Sequence, residues 1–254
     1  MAEPLARPIE GTTALVSGAN RGLGKAFAQA LLDRGAAKVY AGARDPDSVD
    51  VTDARVAPVR LDITNPGDIA AAARDCTDVS LLINNAGAML LRPFLSAPDM
   101  SAARTEMETN YFGTLAMARA FAPVLAAAGG GALINMLSVV SWVASPFNGS
   151  YCASKSAEWA LTNALRVELR GQGTLVVGVH AGFIDTDMVA AVDEPKISAQ
   201  EVAQQALDAM EEGRPEVLTD DWTRHVKDSV ATDQDSLYPT LQRSWDAGES
   251  PWKR

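Results

Sequence analysis

Histidine and cysteine are scarce in this 254-residue chain, with two of each, and that scarcity removes several classes of function. Cys76 and Cys152 cannot make a disulfide framework; they suit a reducing compartment, and the cytoplasm is the expected location. His180 and His225 stand apart from any carboxylate or thiolate grouping with metal-ligand spacing, so no metal is expected. Positive charge is also short. With 22 basic against 32 acidic side chains the formal net charge is -10, which disfavours attraction to nucleic-acid backbones and anionic lipid. Neither nucleic acid nor a membrane is an expected partner.

Uninterrupted apolar runs of membrane-spanning length are missing too. The apolar region from Leu115 to Phe147 is broken by Arg119, Pro123, Gly129 to Gly131 and Asn135, and reads as a buried helix followed by a buried strand. The N-terminus lacks the basic start and apolar stretch of a secretory signal. There is no internal repeat, low-complexity tract or Gly/Ser linker. One domain over 1–254 is therefore expected, a length that α/β folds carry around a single sheet.

What is present is an alternation of short apolar runs with helical patterns. Strands are expected at Thr12 to Ser17, Lys38 to Ala43, Val56 to Leu61, Val79 to Asn84, Gly131 to Leu137, Thr174 to His180 and Glu216 to Leu218. Helices are expected at Leu23 to Asp33, Ile69 to Asp75, Met100 to Ala128, Tyr151 to Arg170 and Ala199 to Glu212. Such alternation specifies an α/β fold, a Rossmann-type doubly wound parallel sheet. Residues 183–198 read as a loop beside the substrate, and the tail over 220–254 as mixed structure without an assigned role.

Directly after the first strand, Gly18-Ala19-Asn20-Arg21-Gly22-Leu23-Gly24 opens the first helix. Glycines there let the backbone approach a ligand, and a helix N-terminus offers unpaired N–H groups and partial positive charge to a pyrophosphate. The end of the second strand is where a dinucleotide's adenosine ribose meets the protein. An acid there would repel a 2'-phosphate, whereas Arg44 can pair with it, with Arg21 closing on the same group. NADPH/NADP is accordingly preferred over NAD; the other reading makes Arg44 a solvated charge and gives the ribose to Asp45. Further along, Tyr151 and Lys155 are four apart and share a helix face. A free phenol titrates near 10, and a nearby ammonium brings it toward use as an acid or base.

The glycine turn, Asn84-Asn85-Ala86-Gly87, Asn110, Ser138 and Tyr151-Cys-Ala-Ser-Lys155 occur in the order and spacing of the short-chain dehydrogenase/reductase family, which the chain resembles from about Thr12 to Met188. The resemblance implies a catalytic set of Asn110, Ser138, Tyr151 and Lys155. It implies cofactor contacts from Gly18, Asn20, Arg21, Gly22, Leu23, Gly24, Arg44, Asp62, Ile63, Asn84, Ala86, Gly87, Tyr151, Lys155, Gly182, Ile184 and Thr186. Asp62 and Ile63 would border the adenine, Lys155 the nicotinamide ribose, and Thr186 the carboxamide. Asn110 would kink its helix and hold a water linking Lys155 to solvent. The implied activity is hydride transfer between NADPH and a ketone, or the reverse from a secondary alcohol, with a small-molecule carbonyl or alcohol as substrate. A nucleotide-binding redox regulator, or an isomerase or dehydratase on the same scaffold, are the other readings.

Three departures from the family pattern stand out. Ser17 replaces the usual Thr, His180-Ala181-Gly182 replaces Pro-Gly and predicts a looser loop beside the nicotinamide, and the C-terminal Asp-Gly-Gly of many tetrameric relatives is missing. A homodimer on the two long helices is expected ahead of a homotetramer. Trp142, Phe147, Phe94, Leu90 and Met188 are expected candidates for an apolar substrate pocket, with core packing as the other reading.

Overall fold

The structure, a computed structural model, describes residues 5–252. The chain begins with β1 (Thr13–Ser17), α1 (Gly22–Asp33), β2 (Lys38–Ala43), β3 (Val56–Arg60), α2 (Pro66–Asp75) and β4 (Leu81–Asn84). It continues with α3 (Ser101–Met107), α4 (Thr114–Ala127), β5 (Ala132–Met136), α5 (Gly149–Glu168) and β6 (Leu175–His180). The short strands β7 (Ile184–Asp185) and β8 (Ile197–Ser198) flank the expected substrate loop and pair with each other. α6 (Ala199–Glu211) and β9 (Glu216–Leu218) complete the main layers, and the tail forms α7 (Asp221–Ser229), α8 (Asp233–Ser236) and α9 (Tyr238–Ala247).

Seven strands lie in the order β3-β2-β1-β4-β5-β6-β9, all parallel. Their alternate residues feed two cores. Ala14 and Val16 of β1 face the layer of α1 and α6, with Phe27, Leu31, Val202 and Leu207; Leu15 faces the layer of α2 and α4, with Ile69, Phe121 and Leu125. A sheet covered on both faces explains why the strands read as continuous apolar runs rather than as alternation. The α6 helix buries Val202, Ala206 and Leu207 completely, so it is packing.

The order of strands reverses between β1 and β4, which opens a crevice at their C-terminal ends. The loops that carry the expected cofactor residues, after β1 and after β4, both leave the sheet there. Elsewhere the structure departs from the sequence reading. The single helix expected over Met100 to Ala128 is interrupted by a π-helical stretch, Glu108–Gly113, between α3 and α4. Its Gly113 lies where a β-carbon would come within 2.9 Å of Ile63. Periodicity of apolar residues does not register an inserted residue of this kind, because both flanking helices keep their own inward faces.

Candidate active site

The glycine turn folds as its sequence demands. Gly18 and Gly22 have positive φ, +68° and +52°, the region that L side chains avoid. A β-carbon on Gly24 would stand 2.1 Å from the Gly18 carbonyl oxygen, so a side chain there is excluded. The first turn of α1 has no side-chain cap: Arg21 occupies the N-cap position in an extended conformation. Its N–H groups are thus presented to the cleft, lined by Gly18, Asn20, Arg21, Gly22, Leu23 and Gly24. Ser17, which keeps the hydroxyl of the usual Thr, accepts from the N–H groups of Asn85 and Ala86 at 3.0 and 3.1 Å.

The same cleft takes in Arg44, Asp62, Ile63, Ala86, Gly87, Ser138, Tyr151, Lys155, Gly182, Ile184 and Thr186. Its volume, about 2710 Å³, exceeds the ~300–1,000 Å³ usual for one small ligand and accommodates a dinucleotide together with a substrate. Asn84 does not reach it. The Asn84 side chain is buried and donates to Asn135 Oδ1 at 2.9 Å, and Asn135 donates to Thr162 Oγ1, so Asn84 ties β4 to β5 and α5. Asn85, which the sequence reading passed over, lines the cleft instead and donates to the Ser17 carbonyl at 2.9 Å. In a strand that is buried on both sides, the last residue faces the core and the next faces the ligand, and one residue of uncertainty in the strand end reverses the two.

Arg44 is exposed at the end of β2, where Arg60 donates to its carbonyl at 3.2 Å. Asp45 is engaged in its own turn, accepting from the Asp47 N–H at 3.2 Å. Arg21, expected to close on the same phosphate as Arg44, lines the cleft and makes an exposed ion pair with Asp187 at 3.6 Å.

Ser138, Tyr151 and Lys155 converge in the floor of the cleft. Ser138 follows β5 and lines the cleft with Tyr151, its hydroxyl accepting from the Val140 N–H at 3.3 Å; the buried Ser141 hydroxyl accepts from the Ser138 N–H at 3.3 Å. Burial raises the Tyr151 phenol above its ordinary range, opposed by the Lys155 ammonium. The ammonium lies 6.0 Å from the tyrosine ring centre and donates to the Met136 carbonyl and to Glu158 Oε2, both at 2.7 Å. Glu158 was not singled out by sequence, although its i,i+3 spacing from Lys155 was a usable signal. Asn110 is buried in the π-helical stretch and does not line the cleft. Its amide clamps the loop after β4, accepting from the Ala88 N–H at 2.8 Å and donating to the Ala88 carbonyl at 2.9 Å. Gly87 belongs beneath this clamp, since a β-carbon there would meet Asn110 Oδ1 at 3.2 Å.

The loop predicted to be loose at Ala181 is held from the tail. Asp220 Oδ2 accepts from the Gly182 N–H at 2.9 Å, while Oδ1 caps α7 through the Thr223 N–H at 2.8 Å. These N–H donors outweigh burial and hold the Asp220 carboxyl below its ordinary range. His180 adds a second tie: its Nδ1 reaches the Ser138 carbonyl at 3.1 Å, and burial pushes its pKa down to about 3, so it is neutral and donates. Trp142 stacks on it at 3.9 Å, beneath Lys227, and lies outside the cleft. Phe94 is outside as well, packed over Gly149, whereas Leu90, Phe147 and Met188 do line the cleft. Replacing Asp220 with Ala is expected to weaken dinucleotide binding by about tenfold and to lower stability by roughly 1–2 kcal/mol, through the lost cap and the freed Gly182 N–H. Equilibrium titration of nicotinamide fluorescence and denaturant unfolding measure the two.

The tail closes the end of the cleft. Leu237, Leu241, Ser244 and Trp252 line it, Trp245 packs on Phe147 at 5.2 Å, and Trp252 on Phe183 at 5.9 Å. Trp252 also forms a β-bridge with Val192 of the substrate loop.

The family model for short chain dehydrogenases matches residues 12–197. The chain belongs to the short-chain dehydrogenase/reductase family. A solved short-chain dehydrogenase from Burkholderia cenocepacia, in complex with NADP, is 45% identical, superposes with a TM-score of 0.89, and is matched over 92% of this chain and 99% of its own. The 3-oxoacyl-(acyl-carrier-protein) reductase of Vibrio cholerae is 32% identical over 75% of this chain and 81% of its own length. Sorbitol dehydrogenase of Cereibacter sphaeroides is 31% identical over 73% and 75%. A Burkholderia phymatum relative solved with NAD, 23% identical with a TM-score of 0.80, covers 98% of this chain and shares the fold. This short-chain dehydrogenase/reductase is therefore a nicotinamide-dependent oxidoreductase acting on alcohol or carbonyl groups, and the glycine turn, the uncapped α1 and the cleft fit a dinucleotide. Among the described residues, no helix is long and apolar enough to cross a membrane.

Proposed function

We propose that this short-chain dehydrogenase/reductase is an NADPH-dependent carbonyl reductase for bulky, uncharged ketones, with Tyr151 as the proton donor. The observation that carries the reading is the convergence of the buried Ser138 hydroxyl and Lys155 ammonium with the half-buried Tyr151 phenol at the cleft floor. Arg44 supports the cofactor assignment: its exposed guanidinium at the end of β2 suits a 2'-phosphate, while Asp45 accepts from the Asp47 N–H within its own turn. The cofactor, when bound, supplies hydride to the carbonyl carbon.

The protein's own part is positional and protic. Ser138 and Tyr151 together hold the substrate oxygen, and Tyr151 passes its proton to that oxygen as negative charge develops there. Lys155 stabilises the phenolate that remains and, with the N–H left over from Met136 and Glu158, binds a ribose hydroxyl. Asn110 holds the loop of Ala86 to Ala88 against which the ribose rests. Leu90, Val143, Phe147, Met188 and Trp252 supply an apolar wall, with acids and bases mixed further out. Such a wall favours aryl and alicyclic ketones over carboxylated or phosphorylated ones.

The test is NADPH absorbance with a panel of aryl, alicyclic and short aliphatic ketones. Oxidation of NADPH by the bulky members, with NADH at least tenfold less effective, is the expected result. Cofactor binding without turnover of any ketone would overturn the activity, and a preference for NADH would overturn the cofactor assignment.

A further inference from the structure

Lys155 shares its helix face with a second buried ionisable group. The side chains of Lys155 and Glu158 are 7% and 2% exposed, and Nζ and Oε2 are 2.7 Å apart. Glu158 Oε1 accepts from Thr114 Oγ1 at 3.2 Å, so both carboxylate oxygens have donors. A lone buried charge is costly, and this pairing makes the interior pair neutral overall. Burial works against both charges: it raises the Glu158 carboxyl above its ordinary range against the pull of Lys155 and the Thr114 hydroxyl, while Glu158, together with Tyr151, more than offsets it at Lys155 and holds the ammonium above its ordinary range. The same carboxylate acts on Tyr151 with the opposite sign to Lys155.

We propose that Glu158 is a positioning residue that anchors Lys155 and offsets the ammonium's field at Tyr151, so that the phenol stays protonated and carbonyl reduction persists to higher pH. The inference rests on the reductase reading for its consequence, but the electrostatic arrangement stands apart from it. The overall equilibrium is untouched; what moves is the pH at which each direction runs, because reduction needs the phenol and alcohol oxidation the phenolate. The groups that act on Tyr151 are Lys155, Glu158, Ser138 and Cys152; Glu158 itself faces Lys155 on α5 and Thr114 on α4. The N–H groups on Lys155 Nζ toward Met136 and Glu158 leave a third for the cleft, where a β-carbon on Gly87 would lie 3.9 Å away.

Removing the negative charge favours the phenolate, so Glu158→Gln lowers the midpoint of Tyr151, and Glu158→Asp keeps it near the unaltered value. For one charge removed from beside a partly buried group at an effective dielectric near 20, the expected shift is about 1–2 pH units. It is read by near-ultraviolet phenolate absorbance of the full chain, the Tyr151→Phe spectrum being subtracted to isolate Tyr151. The high-pH limb of NADPH oxidation should move down by the same amount. A midpoint unchanged or raised in Glu158→Gln overturns the proposal. Should that variant not fold, Glu158→Met, which removes the charge and keeps the side-chain length, decides: a lowered Tyr151 midpoint upholds the proposal, and an unchanged or raised one overturns it. Absence of turnover with every ketone, alongside the predicted absorbance shift, would sink the reductase reading and leave the role of Glu158 standing.

Discussion

Tyr151→Phe is expected to lower kcat for ketone reduction by about 10²–10⁴-fold, the usual contribution of a positioned proton donor. The substitution removes one oxygen and leaves the half-buried ring in place, so packing is kept. NADPH affinity should change by less than about threefold, because the cofactor contacts expected of the glycine turn, Arg44 and Lys155 remain. Separating the two requires stopped-flow single turnover for the chemical step and fluorescence titration for binding. Retention of more than a tenth of the rate would remove Tyr151 from the proton transfer and move attention to Ser138. The unaltered enzyme should lose reduction as pH rises through the Tyr151 midpoint, since only the phenol donates.

Arg44→Asp is expected to weaken NADPH by about 10–100-fold, which is about 1.4–2.8 kcal/mol, and to leave NADH within about threefold. The guanidinium is exposed, so its attraction to a phosphate dianion is screened by salt. Affinity for NADPH, but not for NADH, should therefore fall with ionic strength in the unaltered protein, and this dependence should flatten in the variant. Equal losses for both cofactors would mean that Arg44 supports its loop rather than a 2'-phosphate. Arg60, which braces the Arg44 carbonyl, would then be the next residue to change.

The sheet was legible because its strands are apolar throughout and punctuated by glycine, proline or acid; β2 and β9 match expectation to the residue. The glycine turn and the Tyr151–Lys155 pair were legible because local spacing alone places them together. Features that depend on distant chain were not. Asn84 and Asn85 exchange roles through the register of one strand end. Arg21 pairs with Asp187, which lies far away in sequence. Trp142 finds His180 rather than a substrate, and the looseness predicted for Ala181 is removed by Asp220 from beyond β9. Each of these is a tertiary contact between segments whose own sequences leave the partner unspecified.

The tail over 237–252 walls the cleft beside Phe147 and Phe183, whereas the family match ends at residue 197. On the proposed reading, the residues of hydride transfer lie wholly within the matched stretch, whereas the wall that would select the ketone draws on that stretch and on the tail together. A lineage built this way can exchange its terminal segment and acquire a new diet while its catalytic floor stays as it was. For the protein engineer, the segment from Asp221 onward is the part to transplant between relatives, and the length of the loop facing it, around Val192, sets which grafts will seat.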